Sequence, residues 1–172
     1  MRHIPFILLL LVVSCAPVKV SYDYDETVNF SAYKTYNYYS DIKTGLSELD
    51  SKRIFNILDK ALEKKNLTLS ENPDFYIDLQ TSQHKEANRS RVGIGIGGGG
   101  RHVGGRVSVG VPVGKDNIKR AIQFDFVDEN GKGLFWQAIS ESSYNPNDTP
   151  EKRLTQLQTI VDKVLEGYPP KK

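Results

Sequence analysis

Residues 121–142 read AIQFDFVDENGKGLFWQAISES, and this stretch decides the fold class. Apolar residues alternate with polar or small ones over 121–126, which is the period of a strand with one buried face. Asn130-Gly131 follows, and both residues tolerate the positive φ that a tight turn needs. The chain then returns as the partner strand over 134–142. The stretch therefore predicts an antiparallel hairpin.

Helical patterns lie on both sides of this hairpin. Ser47 begins the first helix with Asp50 three residues on, and Thr149-Pro150 begins the second as a cap followed by proline. Gly167 and Pro169-Pro170 end the second helix. The apolar stripes consist of Leu49, Ile54, Ile57, Leu58, Ala61 and Leu62 in the first helix, and of Leu154, Leu157, Ile160, Val161, Val164 and Leu165 in the second.

Three more segments are predicted strands: 18–25 and 74–79 alternate apolar with polar residues, and 34–39 follows a turn. In the first of them, Tyr22 and Tyr24 lie on the apolar face, which predicts that they are core residues. We expect the strands to pair antiparallel through hairpins and both helices to cover one face. The predicted fold is α+β, with a mostly antiparallel sheet of about five to seven strands and two amphipathic helices packed on one face.

A glycine-rich insertion over about 86–116 contains RVGIGIGGGGRHVGGRVSVGVPVG at 91–114. Gly93-x-Gly95-x-x-Gly98 matches a dinucleotide fingerprint in letters only, because so many glycines cannot open the helix that this motif requires. A phosphate loop is excluded too, since Asp116 stands where a magnesium-binding Ser or Thr would be. The sequence therefore does not support nucleotide binding.

The insertion instead keeps a strand period, with β-branched residues on one face and mostly glycine on the other. Those residues are Val92, Ile94 and Ile96, then Val107, Val109, Val111 and Val113. This pattern predicts a glycine-rich β-hairpin, with a disordered loop as the alternative. We expect the domain to fold without residues 86–116, and we expect this segment to make the protein's contact with a partner.

The N-terminus has the layout of a secretory signal, with a short basic start and an apolar run over 4–13. Val12-Val13-Ser14-Cys15 resembles a bacterial lipobox, in which the cysteine is acylated. We expect residues 1–14 to be a signal peptide and Cys15 to be lipidated, with an ordinary signal peptide as the alternative. Residues 15–170 then form a single domain, held at the membrane through the acylated Cys15.

The charge balance excludes one class of partner. The chain after residue 14 keeps 22 basic and 21 acidic residues, so no strong field attracts nucleic acid. His84 and His102, with no cysteine left beside them, do not make a metal site. We expect no cofactor, no metal and no catalytic residue, so the chain is not predicted to be an enzyme.

Six of the nine tyrosines fall within residues 22–39. Tyr33, Tyr36, Tyr38 and Tyr39 cannot all point inward from one strand, so part of this set is a candidate partner-binding surface. The alternative is a set of ordinary strand tyrosines with hydrated hydroxyls. Arg91, Arg101 and Arg106 in the insertion are further candidates, and they suit anionic head groups or polysaccharide.

Three motifs resemble a family of proposed bacterial lipoproteins, domain of unknown function 4136. They are SYDYDETVNFSAYKTYNYY at 21–39, NPDFYIDL at 72–79 and GLFWQAIS at 133–140. The resemblance covers nearly all of the chain after the signal and implies an envelope lipoprotein with this order of elements. It transfers no activity. Ala16, after the cysteine, resembles the signal that directs lipoproteins to the outer membrane.

The expected function is therefore a lipid-anchored protein of the bacterial cell envelope that acts as a binding or structural module. We expect it at the outer membrane, on the periplasmic face rather than the cell surface. Its candidate partners are an envelope protein, a glycan or a second copy of itself. The alternative is a glycan or cell-wall hydrolase that uses carboxylates such as Asp23, Asp25 or Asp125.

Overall fold

The computed structural model describes residues 18–86, 91–93, 110–112, 117–131 and 133–171. The strands are β1 (Lys19–Tyr24), β2 (Thr35–Tyr38), β3 (Thr68–Leu69), β4 (Phe75–Glu86), β5 (Arg91–Gly93), β6 (Gly110–Pro112), β7 (Asn117–Asp128) and β8 (Gly133–Tyr144). The helices are α1 (Glu48–Glu63) and α2 (Pro150–Glu166), with a short 3-10 helix at Phe30–Ala32.

Six strands form one sheet in the order β1-β8-β7-β4-β2-β3. The predicted hairpin over 121–142 is its centre, where β7 pairs antiparallel with β8. Strand β4 pairs antiparallel with β7, and β1 with β8. Strand β2, however, runs parallel to both β4 and β3. The α+β fold is confirmed, but the sheet is mixed, because α1 carries the chain from β2 back to the end where β4 begins.

The glycine-rich insertion leaves the sheet between β4 and β7, whose ends Glu86 and Asn117 are paired. Within it, β5 and β6 form a separate antiparallel pair in which Val92 lies opposite Val111. This pairing agrees with the predicted hairpin near its base. The rest of that prediction, over 94–109 and at Val113, lies outside the described residues.

Side-chain caps begin both helices as the sequence predicts. The Ser47 hydroxyl accepts the Asp50 backbone N–H at 3.2 Å, and the Thr149 hydroxyl accepts the Lys152 backbone N–H at 3.4 Å. Leu49 was expected in the buried stripe of α1, but it is 62% exposed. At about 100° per residue, Leu49 lies about 140° around the helix from the buried Ile54 and faces solvent.

The second helix shows the same departure at its start. Leu154 was expected in the buried stripe but is 47% exposed. It is the fifth residue of α2, whereas the buried residues of this helix begin at Leu157. An apolar stripe read from the period alone therefore extends too far toward the N-terminus of each helix.

The hydrophobic core lies between the sheet and the two helices. A β-bulge between Phe126 and Val127 adds an extra residue to β8, so that Phe135 and Trp136 are both buried. The Trp136 indole N–H donates to the Gly167 carbonyl at 3.2 Å. This bond ties the central hairpin to the end of α2.

Tyr22 and Tyr24 are only partly in the core. Both lie on the side of the sheet that faces the helices, but β1 is an edge strand and their side chains are 40% and 38% exposed. The Tyr22 hydroxyl donates to the Lys163 carbonyl of α2, and its ring lies close to Gly167. The predicted burial of these two residues is thus incomplete because the helices do not extend fully over the edge.

A buried carboxylate joins the beginnings of the two helices. Asp50 of α1 is 2% exposed and accepts hydrogen bonds from Arg53 at 2.6 Å and from Arg153 of α2 at 3.0 Å. Burial alone would raise the pKa of Asp50, but the bonds from the two arginines outweigh it and hold that pKa below its ordinary value. Asp50 is therefore charged at neutral pH and fixes α1 against α2.

Candidate functional site

The sheet has a covered face, which packs against α1 and α2, and an open face on the other side. On β4, for example, Phe75, Ile77 and Leu79 are fully buried, while the alternate residues Tyr76, Asp78 and Gln80 retain solvent exposure. The contacts between elements in the described part of the chain bring no helix or strand onto this second face. The open face is therefore the broad surface that the described fold leaves available to a ligand.

Carboxylates and side-chain amides alternate on the open face of the three central strands. We call this set the carboxylate–amide cluster; it consists of Asp78, Gln80, Gln123, Asp125 and Gln137. Asp125 accepts amide N–H groups from Gln137 at 2.7 Å and from Gln123 at 2.8 Å. Asp78 accepts the Gln80 amide at 2.9 Å. The glutamines thus hold both carboxylates in place.

Asp78 and Asp125 are directly opposite each other on β4 and β7. Like charges in this arrangement repel, and donors placed between them relieve the repulsion. The glutamine amides supply some of those donors, but each carboxylate offers about four lone-pair sites. The pair is therefore suited to accept further hydrogen bonds from a ligand that carries hydroxyl groups.

Two tyrosines border the cluster. Tyr39, which follows β2, stacks on Tyr76 of β4 with ring centroids 5.0 Å apart and an interplanar angle of 21°. Partial burial and then a hydrogen bond to Glu129 raise the pKa of Tyr39 to about 12, so its hydroxyl stays protonated at neutral pH. Beside this pair lies a solvent-open depression of about 450 Å³. Its lining consists of Tyr39, Asp41, Ile42, Lys43, Asp78, Gln80 and Thr81.

Tyr33, one of the other predicted binding tyrosines, lies on the core side. Its ring stacks on Phe135 at 4.2 Å, and its hydroxyl donates to Asp128 at 3.0 Å. Partial burial and this hydrogen bond raise the pKa of Tyr33 to about 12. Tyr33 therefore closes the end of the core instead of presenting its ring to a partner.

Tyr36 and Tyr38 also point toward the helices. Their hydroxyls donate to the same oxygen of Asp59 on α1, at 2.8 Å and 2.6 Å. Tyr36 is 2% exposed, and Tyr38 packs against Phe55. Burial and the bonds to Asp59 raise the pKa of both phenols above the ordinary value. Of the four predicted tyrosines, the fold brings Tyr39 alone to the open face.

The predicted arginines and the lipidation site lie in parts of the chain that the structure does not describe, or describes only by backbone. Arg91 is the first residue of β5 and is paired with Pro112. Arg101, Arg106 and Cys15 lie outside the described residues. The binding role of the arginines and the acylation of the cysteine therefore stay predictions.

The carboxylates of the hydrolase alternative are not gathered in a cleft. Asp23 and Asp125 share the open face but stand on β1 and β7, with β8 between them. Asp25 accepts the backbone N–H and the hydroxyl of Thr27 at 2.8 and 2.7 Å, which is a turn contact. Among the described residues, no group of three or more metal-ligating side chains is close enough to hold an ion.

Most of the cluster was not singled out from the sequence as a site. Gln123, and Tyr76 beside the cluster, were interpreted only as outward residues of alternating strands, and no role was assigned to Gln80 or Gln137. The signal that could have found them is the strand period itself, since the buried residues of β4, β7 and β8 leave their neighbours on one common face. The alternation does not give the order of the strands in the sheet, and this order decides which outward residues become neighbours.

The described fold defines a class of protein: a mixed six-stranded sheet with two helices on one face and a polar open face. Residues 20–170 match the family model described as Domain of unknown function (DUF4136). The chain therefore belongs to this family, and the resemblance of its three motifs is confirmed. No helix in the described part of the chain is long and apolar enough to cross a membrane.

No curated protein matches the chain, but several solved structures do. The chain is similar to a PDZ domain protein from Parabacteroides distasonis, with a TM-score of 0.55 and 19% identity, over 91% of this chain and 36% of that one. It is also similar to the PelC dodecamer from Paraburkholderia phytofirmans, with a TM-score of 0.52 and 9% identity, over 91% of this chain and 100% of that one. At these identities the likeness shows the fold alone.

Proposed function

We propose that this protein is a lipid-anchored module of the bacterial cell envelope whose open face binds a glycan. The observation that carries the ligand class is the carboxylate–amide cluster beside the Tyr39–Tyr76 stack. The anchor rests on the sequence around Cys15, on the family resemblance and on the signal layout before it. Ala16 supports an outer-membrane location, and we place the domain on the periplasmic face of that membrane.

The ligand class follows from the chemistry of the cluster. A sugar presents hydroxyl groups that donate and accept, and the cluster offers carboxylate oxygens beside amides that do both. The stacked rings of Tyr39 and Tyr76 add an apolar surface with polar tips, which suits the C–H face of a sugar. An apolar peptide would instead remove water from Asp78 and Asp125 and add no donor to those that the glutamine amides supply, which costs free energy.

The anchor is tested by metabolic labelling with a palmitate analogue. We expect label in the wild-type protein and none in Cys15→Ala, with the wild type recovered in the membrane fraction. Equal labelling of the two proteins, or a wild type found wholly in the soluble fraction, would contradict the anchor. This test is independent of the ligand, so either half of the proposal can fail alone.

Glycan binding is tested with two probes, purified peptidoglycan sacculi in a sedimentation assay and an array of envelope oligosaccharides. We expect Asp125→Asn and Tyr76→Ala to weaken binding by roughly tenfold or more, since each removes a contact to the ligand. Glu141→Gln is the matched control. It also removes a carboxylate from the open face, but at the other end of β8, and should bind like the wild type. Failure of the wild type to bind either probe would refute the glycan ligand.

The hydrolase alternative gives a different result in the same samples. If the open-face carboxylates cut the glycan, the wild type releases reducing ends with time and Asp125→Asn does not. We expect bound glycan to be recovered intact, because Asp23 and Asp125 point the same way from one sheet and do not face each other across a bond. Inverting and retaining hydrolases both need two carboxyl groups that flank the scissile bond.

A further inference from the structure

Strand β1 ends the six-stranded sheet and has an unpaired outer edge in the described part of the chain. The opposite edge is β3, which is only two residues long. A short edge strand offers little backbone to a second chain, whereas β1 with its six residues offers a longer edge for pairing. The two edges of this sheet are thus unequal, and β1 is the one that can be extended.

The hydrogen bonds show which backbone groups of β1 point outward. The Asp25 N–H donates to the Phe135 carbonyl of β8 at 3.0 Å. Because the direction of the backbone groups alternates along a strand, the odd-numbered residues of β1 direct their N–H and C=O groups toward β8, and the even-numbered residues direct theirs away from it. Two contacts agree: Lys163 donates to the Val18 carbonyl at 3.3 Å, and the Tyr24 N–H donates to the Asp23 carboxylate at 3.0 Å.

The backbone groups of two residues, Val20 and Tyr22, therefore remain available at the middle of the β1 edge. In the described part of the chain, β1 pairs with β8 and with no strand on its outer side. The Tyr22 side chain is also 40% exposed there. An occupant of this edge must supply donors and acceptors opposite these two residues and cover the tyrosine.

We propose that the occupant is a second copy of this chain, joined antiparallel through β1. The sequence KVSYDY is self-complementary when Ser21 lies opposite Ser21 of the second copy. In that register Lys19 lies opposite Asp23 on the open face, twice by symmetry. Val20 and Tyr22 lie opposite each other on the covered face and exchange the outward hydrogen bonds. Shifting the register by two residues in either direction separates Lys19 from Asp23.

The pairing has a consequence for the open face. Two copies related by a twofold axis that passes between the two Ser21 residues, perpendicular to the sheet, present their open faces on the same side. The result is one continuous twelve-stranded sheet with two carboxylate–amide clusters on a common surface. Two linked sites raise the apparent affinity for a repeating ligand without any new contact. The association itself does not depend on the ligand being a glycan.

Disulfide trapping tests the register in the full chain, purified from membranes and oxidised. Ser21 and its symmetry mate form a non-hydrogen-bonded pair with Cα atoms about 4.5 Å apart, a distance that a disulfide can bridge. We therefore expect Ser21→Cys to give a covalent dimer. Lys19→Cys is the matched control, exposed on the same strand but about 13 Å from its mate by strand rise. The wild type controls for Cys15.

A charge exchange tests the same pairs in solution. Lys19→Asp and Asp23→Lys should each weaken the dimer by about 5- to 30-fold, because each breaks two ion pairs and opposes like charges. The double variant should dimerise like the wild type, as measured by sedimentation equilibrium. The proposal is overturned if the wild type is monomeric at the highest concentration reached, or if the double variant stays weak. It is also overturned if Lys19→Cys links as well as Ser21→Cys.

Discussion

Leu79 and Gln80 are neighbours on β4, yet they belong to opposite faces of the sheet. Leu79 is fully buried under the helices, whereas Gln80 is exposed and donates to Asp78. The same contrast runs along β7, where Phe124 is buried and the adjacent Asp125 is held by two glutamines. Residues that stabilise the fold and residues proposed to bind a ligand therefore alternate along the same strands, and one substitution can address either set.

The largest effect is expected on the covered face. Leu79→Ala removes a fully buried side chain and leaves a cavity between sheet and helices, which should lower the free energy of unfolding by about 2–5 kcal/mol. Urea unfolding followed by Trp136 fluorescence measures it. A loss below about 1 kcal/mol would mean that the helices do not pack tightly on this face.

The contact between helices should come next. Asp50→Asn leaves Arg53 and Arg153 without their carboxylate, and we expect a loss of about 2–4 kcal/mol at pH 7, since both arginines keep some access to water. The pKa of Asp50 is lowered in the fold, so its contribution is present above the unfolded pKa of about 3.9 and is lost as the pH falls through the folded value. The difference between wild type and variant should therefore shrink below about pH 4. A difference that grows in acid would contradict this assignment.

A smaller effect is expected where β1 meets α2. A Cβ at Gly167 would stand 2.3 Å from the Tyr22 ring, so Gly167→Ala must displace the tyrosine and should cost about 1–3 kcal/mol. In the double variant, Tyr22→Ala removes the ring and with it the clash. The losses of stability of the two single variants should therefore not add. Strictly additive losses, measured by thermal unfolding, would show that the two residues do not touch.

Removal of the glycine-rich insertion tests whether it belongs to the fold at all. Because Glu86 and Asn117 are directly paired, replacing residues 87–116 by Asn-Gly joins β4 to β7 through a two-residue hairpin turn. We expect a cooperative transition with a Tm within about 4 °C of the wild type. Loss of cooperativity would mean that the insertion contributes to the core.

The smallest effect is expected on the open face. Gln80→Ala should change the free energy of unfolding by less than about 0.5 kcal/mol, because the side chain is exposed and its bond to Asp78 is replaced by water. Comparing the change in the free energy of unfolding of Gln80→Ala with that of Leu79→Ala contrasts the two faces of the sheet at adjacent positions. A loss as large as that of Leu79→Ala would mean that the open face is covered in the intact protein.

Much of the fold was predicted because its signals are local. The central hairpin rests on the alternation over 121–126 and on Asn130-Gly131, and both helix starts rest on caps at Ser47 and Thr149. The position of β2 beside β4 was not predicted, since short connections favour antiparallel neighbours. Its parallel pairing depends on α1 crossing the covered face, which is a long-range contact that no local period encodes.

The candidate site divides in the same way. Tyr39 was among the predicted binding residues, and it is on the open face because it is one position out of phase with Tyr36 and Tyr38. Tyr33 precedes β2, so the alternation along that strand did not decide its orientation. Its ring packs on Phe135, the extra residue that the bulge adds to β8. A one-residue bulge is invisible in a pattern of period two, because the sequence still alternates on either side of it.

By itself, the sequence determined the types of the main elements, the family motifs and the inward and outward faces of the strands over 74–79 and 121–126, since period and capping act over a few residues. The tertiary structure alone decided which outward residues meet. Asp78 and Asp125 are 47 positions apart in the chain, and they become neighbours only because β4 pairs with β7 in one register. That register is selected by burying Leu79 and Phe124 together under the helices, since a shift of either strand by one residue would turn the apolar residues of that strand toward water.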